Sequence, residues 1–473
     1  MLRTGVGSGR RYASSGRRPP RGGSAQPRDS SRRRPINPAR VTVLGLIGAI
    51  ALGAGALLLP VSRAGGTDPS LIEAFFTSVS AVSVTGHIIV DTAVHWSVFG
   101  QIVIMLLIQI GGLGVMTFAS VIGIAVVRRL SLANRMRTAA ETRSFGIADI
   151  RTVVLSVLKI SLVVEGAVAL ILFLWFWLHY GRDPLEAAWI GVFHGVSSFN
   201  NAGFSLFSDN FMSYAGDPVV SLTICASIII GGLGFPVIMQ LRKHWGTPRL
   251  WSMNTRIVLA VTPVLLIVGT VFITALEWDS PGTLGPMSWP EKLLAGFFQS
   301  VQTRTAGFNS IDIGAMSDSS LFGMTILMFI GGGPAGTAGG IKVTTFAVLL
   351  FILIAEIRGD GVVNVFGKRL SRAVHRQAIA VVLLSMAVVT TVTMVIMVLS
   401  GERLAVVRFE SASAFSTVGL SAGITADLPV AAQVLLALLM FLGRIGPITF
   451  ASALALRERR VLYQLPKERP IIG

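Results

Sequence analysis

Cysteine is almost missing from this chain, since Cys225 is the only one among 473 residues. A disulfide framework and a cysteine-based metal site are therefore both excluded. Charge is scarce as well: Asp, Glu, Lys and Arg make up 13% of the residues, against ~25% in soluble domains. The six histidines are scattered without a metal-ligand spacing. These shortages argue against a soluble protein and against a metalloenzyme.

Long apolar runs take the place of charge. Hydrophobic residues make up 52% of the chain, and the mean hydropathy is +0.71. A run of ~20 apolar residues crosses a ~30 Å hydrocarbon core as a helix. We predict eight such spans, at about 41–62, 97–127, 152–179, 218–241, 257–277, 319–355, 377–399 and 430–456. The fold class is therefore an all-α, multi-pass membrane protein.

Four short segments between these spans share one pattern, in which a Phe is followed by nine residues and a Gly. They are FTSVSAVSVTG (76–86), FHGVSSFNNAG (193–203), FESASAFSTVG (409–419) and FQSVQTRTAGF (298–308, with Phe297 at the matching offset). Each is too short to cross the membrane, and non-helical backbone at that depth must be surrounded by protein or water. We therefore predict four tandem helix–pore-loop–helix repeats around a pseudo-fourfold pore, with eight transmembrane helices and four re-entrant pore loops. The repeats are 41–127, 152–241, 257–355 and 377–456.

The tips of these segments form the candidate ion site. Glycine adopts backbone angles that crowd other residues, so carbonyl oxygens can face one axis and replace the water around a cation. No tip contains a carboxylate, which favours a large monovalent ion over Mg²⁺ or Ca²⁺. The candidate filter residues are Val84, Thr85 and Gly86; Asn201, Ala202 and Gly203; Thr305, Ala306 and Gly307; and Thr417, Val418 and Gly419.

A second sequence motif also occurs four times, once after each Phe-to-Gly segment. Gly-rich points begin at Gly111, Gly231, Gly331 and Gly443, which lie 24–28 residues after the four motif glycines. Small residues are common at helix contacts in membranes, and a single such point would have no further meaning. Four of them at nearly fixed spacing indicate a quadruplicated unit.

The distribution of charge predicts the orientation. The connections 128–151, 242–256, 356–376 and 457–473 hold 20 Lys and Arg against 6 acids, whereas the opposite connections hold 6 basic and 14 acidic residues. Basic loops face the cytoplasm, so both termini are predicted to be cytoplasmic in a cell-membrane protein. Residues 1–40, with 11 Arg and one acid, are predicted to be a disordered basic tail near anionic lipid. Binding of nucleic acid by this tail is the less favoured alternative.

Three features of the spans go beyond a simple apolar helix. Residues 331–340 contain six Gly and Pro334, which predicts a flexible loop within the third repeat's second span. Arg444 is costly inside an apolar span unless it meets water or partners, so we predict a positive charge near the pore axis that binds this loop. A purely structural ion pair is the less favoured alternative. Glu165 is predicted to be a buried, hydrogen-bonded group between helices.

As a set, the motifs resemble the Trk/Ktr/HKT superfamily of cation transporters, and most closely the Ktr-type potassium-transporting subunit (KtrB). The resemblance covers nearly all of 41–460. It rests on SVTG, NNAGF, TRTAGF and STVGLS in this order, on GGLG in two repeats, on GGGPAGTAGGIK (331–342) and on GRIGPIT (443–449). The Trk branch has two further N-terminal spans that are not found here, which favours the Ktr branch.

The resemblance implies potassium uptake through a filter formed by the four glycines, with Gly86 where some sodium-transporting plant members have Ser. It implies no covalent cofactor, a potassium ion in the filter, a homodimer and a separate nucleotide-binding cytoplasmic ring of the KtrA type. Sodium as a coupling or regulatory ion stays open. It also assigns the intramembrane loop and the arginine the role of a gate, formed by Gly332, Gly333, Pro334, Ala335, Gly336, Thr337, Gly339, Gly340, Lys342 and Arg444.

Two alternatives are weighed against potassium uptake. Sodium or ammonium transport by the same fold would be separated by ion replacement. An integral membrane enzyme ranks far lower, because the spans contain no nucleophile–base set, paired catalytic carboxylates or metal cluster. His87 departs from the family pattern, in which an apolar residue more often follows the first glycine. We expect a neutral imidazole at the outer mouth, although a protonated one would repel cations and make transport sensitive to pH.

Overall fold

The computed structural model describes residues 38–65, 70–135 and 147–446. The predicted tail, apart from 38–40, and the predicted cytoplasmic C-terminus 457–473 lie outside these ranges. The helices are α1 (Pro38–Leu57), α2 (Leu71–Ser83), α3 (Thr92–His95), α4 (Val98–Arg135), α5 (Ile147–Leu178), α6 (Pro184–Phe199), α7 (Pro218–Leu233), α8 (Phe235–His244), α9 (Met253–Glu277), α10 (Trp289–Gln302), α11 (Asp318–Phe329), α12 (Val343–Ile357), α13 (Arg372–Ser400), α14 (Leu404–Ser416) and α15 (Val430–Ile445).

Three short 3₁₀ turns and one hairpin complete the described elements. The turns are Pro60–Ser62, Met212–Tyr214 and Pro248–Leu250, and the antiparallel strands are β1 (Asn364–Val365) and β2 (Lys368–Arg369). Helices therefore account for nearly all of the regular structure in the described ranges, as the apolar runs predict.

The four predicted pore segments are short helices: α2, α6, α10 and α14. Their starts are encoded locally in three cases. Capping boxes begin α2 at Ser70 and Glu73 and α10 at Ser288 and Glu291, while Asp183 caps α6 just before a proline at its first position. Side-chain oxygens there satisfy amides that a helix start leaves unbonded.

The motif phenylalanines anchor these short helices in the protein interior. Phe76, Phe193, Phe298 and Phe409 are all buried. The first helix of each repeat (α1, α5, α9 and α13) is long and apolar enough to cross a membrane by itself. The pore helices are therefore held in the protein interior by apolar packing.

The second glycine repeat lies where the second helix of a repeat meets the end of its pore helix. A Cβ on Gly111 or Gly231 would lie 2.0 Å from the carbonyl oxygen of Val82 or Phe199, and one on Gly443 would lie 1.6 Å from that of Phe415. No side chain can be placed at such distances, so these glycines are required for the close approach of the two helices. Gly111, Gly231 and Gly443 thereby position the C-terminal ends of three pore helices.

The third repeat breaks this pattern. A Cβ on Gly331 would instead lie 2.1 Å from the carbonyl oxygen of Gly339, within the same loop. The predicted span 319–355 is divided into α11 and α12 by the irregular segment 330–342, as the glycine content predicts. A second interruption was not predicted: α7 and α8 meet at Gly234 with a bend of 95°. Gly234 has φ +93°, and Pro236 follows at the second position of α8, a position that tolerates proline.

The replacement Gly443→Ala tests the close approach of α15 and α14. We expect a loss of at least ~1–3 kcal/mol of stability, which is typical of overpacking, because the methyl group would overlap the carbonyl of Phe415. Thermal denaturation of the purified protein in detergent measures the effect. Gly45→Ala in α1 is the matched control, since nothing lies within 4 Å of its added methyl group. Equal melting temperatures for the two variants would contradict the packing described.

Candidate ion pathway

The four filter segments form a closed ring, which the contacts of the motif glycines define. A Cβ on Gly86 would lie 2.3 Å from the carbonyl oxygen of Ala202, and one on Gly203 would lie 2.7 Å from that of Ala306. The same relation continues around the ring. A Cβ on Gly307 would lie 2.2 Å from the carbonyl oxygen of Val418, and one on Gly419 would lie 2.0 Å from that of Thr85. Each repeat thus meets the next, and the fourth meets the first.

The amides of the filter segments point back toward their own pore helices. The amide of Thr85 donates to Ser80 O at 2.9 Å, that of Ala202 to Ser197 O at 2.8 Å, and that of Val418 to Ser413 O at 2.8 Å. In a trans peptide the N–H and C=O bonds point in opposite directions. The carbonyls of the preceding residues (Val84, Asn201 and Thr417) therefore face away from the helices.

The backbone of all four segments follows one conformation. Val84, Asn201, Thr305 and Thr417 have φ between +52° and +72°, and the glycine two positions later has φ between +70° and +90°. Such angles cost a non-glycine residue ~1–3 kcal/mol and persist only where the surrounding structure imposes them. The recurrence of this strain in four repeats indicates a functional conformation. The buried hydroxyls of Thr305 and Thr417 have no hydrogen-bond partner in the described part of the chain.

The loop 330–342 is bound to the break between α7 and α8. The amides of Gly333 and Thr337 donate to Gly232 O at 2.8 Å and Gly231 O at 3.3 Å, and the amide of Phe235 donates to Ala335 O at 3.1 Å. A Cβ on Gly234 would lie 2.4 Å from the carbonyl oxygen of Pro334. The bend at Gly234 exposes backbone groups that a straight helix would use internally, and the loop takes them up.

Three basic side chains donate to carbonyl oxygens of this loop. Arg444, which is 5% exposed, donates from Nη1 to Thr337 O and from Nη2 to Gly111 O at 3.1 Å. Arg304 donates from Nη2 to Gly331 O at 2.7 Å, and Lys342 donates to Ala338 O. Within the described ranges, no carboxylate forms an ion pair with any of them. The loop is therefore bound by basic side chains.

The loop also contacts the filter residues themselves. The Thr337 hydroxyl donates to Asn201 Oδ1 at 2.8 Å. A Cβ on Gly339 would lie 2.0 Å from Thr417 Oγ1. The structure thus brings the predicted filter and the predicted gate residues together at the base of the ring, through contacts from repeats 2 and 4.

The two other groups singled out in the sequence are both buried. Glu165 accepts hydrogen bonds from Ser161 Oγ at 2.5 Å, from Gln109 Nε2 at 3.0 and 3.1 Å and from Asn200 Nδ2 at 3.1 Å. It is the buried, hydrogen-bonded group between helices that the sequence predicts. His87 is 0% exposed and contacts Glu410. Packing against the fourth repeat encloses the imidazole that we expected at the outer mouth, and its effect on the pH dependence of transport stays a prediction.

The comparisons with known proteins agree with this geometry. The family model described as TrkH, cation transport protein, matches residues 52–459. The chain belongs to the TrkH family of cation transport proteins. The chain is 39% identical over 425 residues to the Ktr system potassium uptake protein B of Bacillus subtilis, covering 90% of this chain and 94% of that protein. It is 33% identical over 447 residues to the potassium/sodium uptake protein NtpJ of Enterococcus hirae, covering 93% and 98%.

A solved structure of the TrkH family has the same fold. The crystal structure of the potassium transporter TrkH from Vibrio parahaemolyticus superimposes with a TM-score of 0.70 at 18% identity, covering 91% of this chain and 87% of that one. The predicted fold class, an all-α membrane protein of four tandem helix–pore-loop–helix repeats, is thereby confirmed. This membership also places the chain among cation transporters, not in a family of enzymes.

Sequence reasoning missed three functional candidates of this TrkH-family chain. The break at Gly234 has a local signal, since Pro236 follows the Gly-rich run GGLG. Arg304 and Glu410 are charges inside the short pore segments, and charge at membrane depth is itself a signal of function. The missing information was their partners: Gly331 O for Arg304, in the irregular loop of the same repeat, and His87 for Glu410, in the first repeat.

Proposed function

We propose that this protein carries potassium into the cell through the ring of filter carbonyls, with the loop 330–342 as its gate. The observation that carries the proposal is the closure of four neutral backbone segments into one ring. Backbone carbonyls replace the hydration shell of a monovalent cation, and Mg²⁺ or Ca²⁺ would require carboxylate ligands. The unpartnered hydroxyls of Thr305 and Thr417 supply further oxygens at the base.

The membrane potential is the driving force, and the basic side chains at the loop form the gate. A membrane potential supplies ~2.3 kcal/mol per 100 mV for one elementary charge, which draws a cation inward. Arg444 and Arg304 hold the loop across the base of the ring through Thr337 O and Gly331 O. Their positive charges oppose the passage of a cation until the loop moves away. The filter selects the ion, and the loop limits its flux.

The experiment is growth rescue of a potassium-uptake-deficient bacterium at low potassium, followed by ion-flux measurements on the purified protein in vesicles. We expect rescue, and a flux of K⁺ and Rb⁺ that exceeds that of Na⁺. The description of the relative NtpJ as a potassium/sodium uptake protein favours one alternative, a sodium-permeable filter. Equal Na⁺ and K⁺ fluxes would support that alternative, and a flux of NH₄⁺ alone would contradict both.

We further propose that both termini face the cytoplasm of a bacterial-type cell membrane, as the charge distribution favours. The buried Cys225 makes a nearly cysteine-free background. The exposed positions Ser319 and Lys368 can each be replaced by Cys and treated with a membrane-impermeant maleimide. We expect labelling of intact cells at 319 and not at 368. The reverse pattern would invert the topology.

The proposed assembly is a homodimer with a separate nucleotide-binding ring of the KtrA type. A relative that is named as protein B of a Ktr system supports a system of several components. The exposed basic hairpin with Lys368 and Arg369 is a candidate contact for that ring. Mass measurement of the purified protein, alone and with such a ring, tests both parts. A monomer that transports at full rate and binds no ring would contradict them.

A further inference from the structure

A buried His–carboxylate pair joins the first and the fourth repeats next to the filter. His87 Nε2 lies 2.8 Å from Glu410 Oε2, and both side chains are 0% exposed. His87 directly follows the filter glycine of repeat 1, and Glu410 lies in α14, the pore helix of repeat 4. The pair therefore bridges two repeats that are 323 residues apart in sequence.

Glu410 is saturated with donors. It accepts from Ser421 Oγ at 2.8 Å, from the amide of Ala422 at 2.8 Å and from Thr425 Oγ1 at 2.9 Å, in addition to its contact with His87. A buried carboxylate is costly unless its lone pairs are filled and a partner is present. The arrangement therefore fixes the position of the peptide at His87 relative to the segment that follows the filter of repeat 4.

The other three joints have no ionisable pair at these positions. The residues that follow the filter glycines of repeats 2, 3 and 4 are Phe204, Phe308 and Leu420. Their counterparts to Glu410, nine positions before the filter glycines of repeats 1, 2 and 3, are Thr77, His194 and Phe298. The described contact among them is aromatic, with the rings of His194 and Phe308 6.4 Å apart. The pair is thus particular to the joint that closes the ring between its first and last members.

We propose that His87 and Glu410 are positioning residues that set the ion selectivity of the filter. This inference rests on the proposed function. The carbonyl oxygen of Thr85 faces Gly419 across the same joint, so a shift of His87 would move one of the four oxygen positions of the ring. A carbonyl ring discriminates between cations through the positions and number of its oxygens. Loss of the pair would change the relative passage of K⁺ and Na⁺ rather than passage in general.

The test compares His87→Leu with His87→Gln, whose amide can still donate to Glu410. We expect His87→Leu to lower the ratio of K⁺ to Na⁺ flux about tenfold, which corresponds to ~1.4 kcal/mol, and His87→Gln to recover most of it. His95→Leu is the matched control, because His95 lies 3.5 Å from Glu73 outside the ring. Its K⁺/Na⁺ ratio is expected to equal that of the unmodified protein.

Two outcomes would overturn the inference. An unchanged K⁺/Na⁺ ratio in folded His87→Leu, or an equal loss of both fluxes, would leave the pair a structural role only. If His87→Leu does not fold, the double variant His87→Phe and Glu410→Thr replaces it. This variant has the residue types found at the joint of repeats 1 and 2, Phe204 and Thr77. An unchanged K⁺/Na⁺ flux ratio in the double variant would likewise overturn the inference. A protein without K⁺ preference before mutation would contradict the proposed function instead, so the two failures are distinguishable.

Discussion

Replacing Gly86 or Gly307 by serine is expected to abolish potassium-dependent growth rescue and most of the K⁺ flux. Gly86 has φ +87° and Gly307 has φ +81°, a region that costs a residue with a side chain ~1–3 kcal/mol. Their Cβ atoms would also lie 2.3 Å from Ala202 O and 2.2 Å from Val418 O. Those oxygens belong to the proposed ion ligands, so the substitution acts on the ring itself. Flux of K⁺ and Na⁺ into vesicles measures the loss.

The matched control is Gly423→Ser. Gly423 has φ +94°, but nothing lies within 4 Å of its added Cβ. This variant carries the backbone strain without the contact to the ring, and we expect it to keep both K⁺ flux and selectivity. If Gly86→Ser and Gly307→Ser rescue growth as well as Gly423→Ser does, the assignment of the filter is wrong.

The sequence could predict the four matched tips because their signal is local and fourfold. Each tip has a residue at positive φ and a glycine two positions later, just after a short helix. Three of these four helices also have a capping side chain at their start. A single such motif would be ambiguous, but four at matched places in a membrane chain define an axis. The distances between the glycines and the neighbouring carbonyls then follow from closure of the ring.

The contacts of the gate could not be predicted in the same way. Thr337 meets Asn201 and Arg444, which are 136 and 107 residues away. No periodicity or spacing encodes such pairs, because they depend on how the repeats pack. For the same reason the sequence indicated a charge at Arg444 but not that Gly111 O, in the first repeat, is its second partner.

The third repeat departs from fourfold symmetry in the packing of its Gly-rich point. In the other repeats a glycine of the second helix lies against the end of the pore helix, whereas Gly331 lies against its own loop. The chain at 330–342 is thereby free to lie under the ring, and the bend at Gly234 opens carbonyls that bind it. The symmetric tips thus suit the proposed selection of the ion, and the asymmetric base suits the proposed gate.

Arg444→Ala is expected to raise K⁺ flux at least about tenfold, a factor that requires only ~1.4 kcal/mol. The change removes two hydrogen bonds that hold the loop to repeats 4 and 1, through Thr337 O and Gly111 O. It also removes a buried positive charge. A unit charge 4 Å from a cation costs ~4 kcal/mol at an effective dielectric constant of 20. Initial rates of Rb⁺ uptake into vesicles at equal protein content measure the rise.

Arg444→Lys separates the two contributions. Lysine keeps the charge but cannot donate from a planar fork to two carbonyls, so a flux between those of Arg444→Ala and the unmodified protein is expected if both contributions act. Deletion within 333–339 removes the loop and should raise flux as well. Arg403→Ala is the matched control, because that side chain is 72% exposed. An unchanged or reduced flux in folded Arg444→Ala would mean that the arginine supports the fold and is not a barrier to the ion.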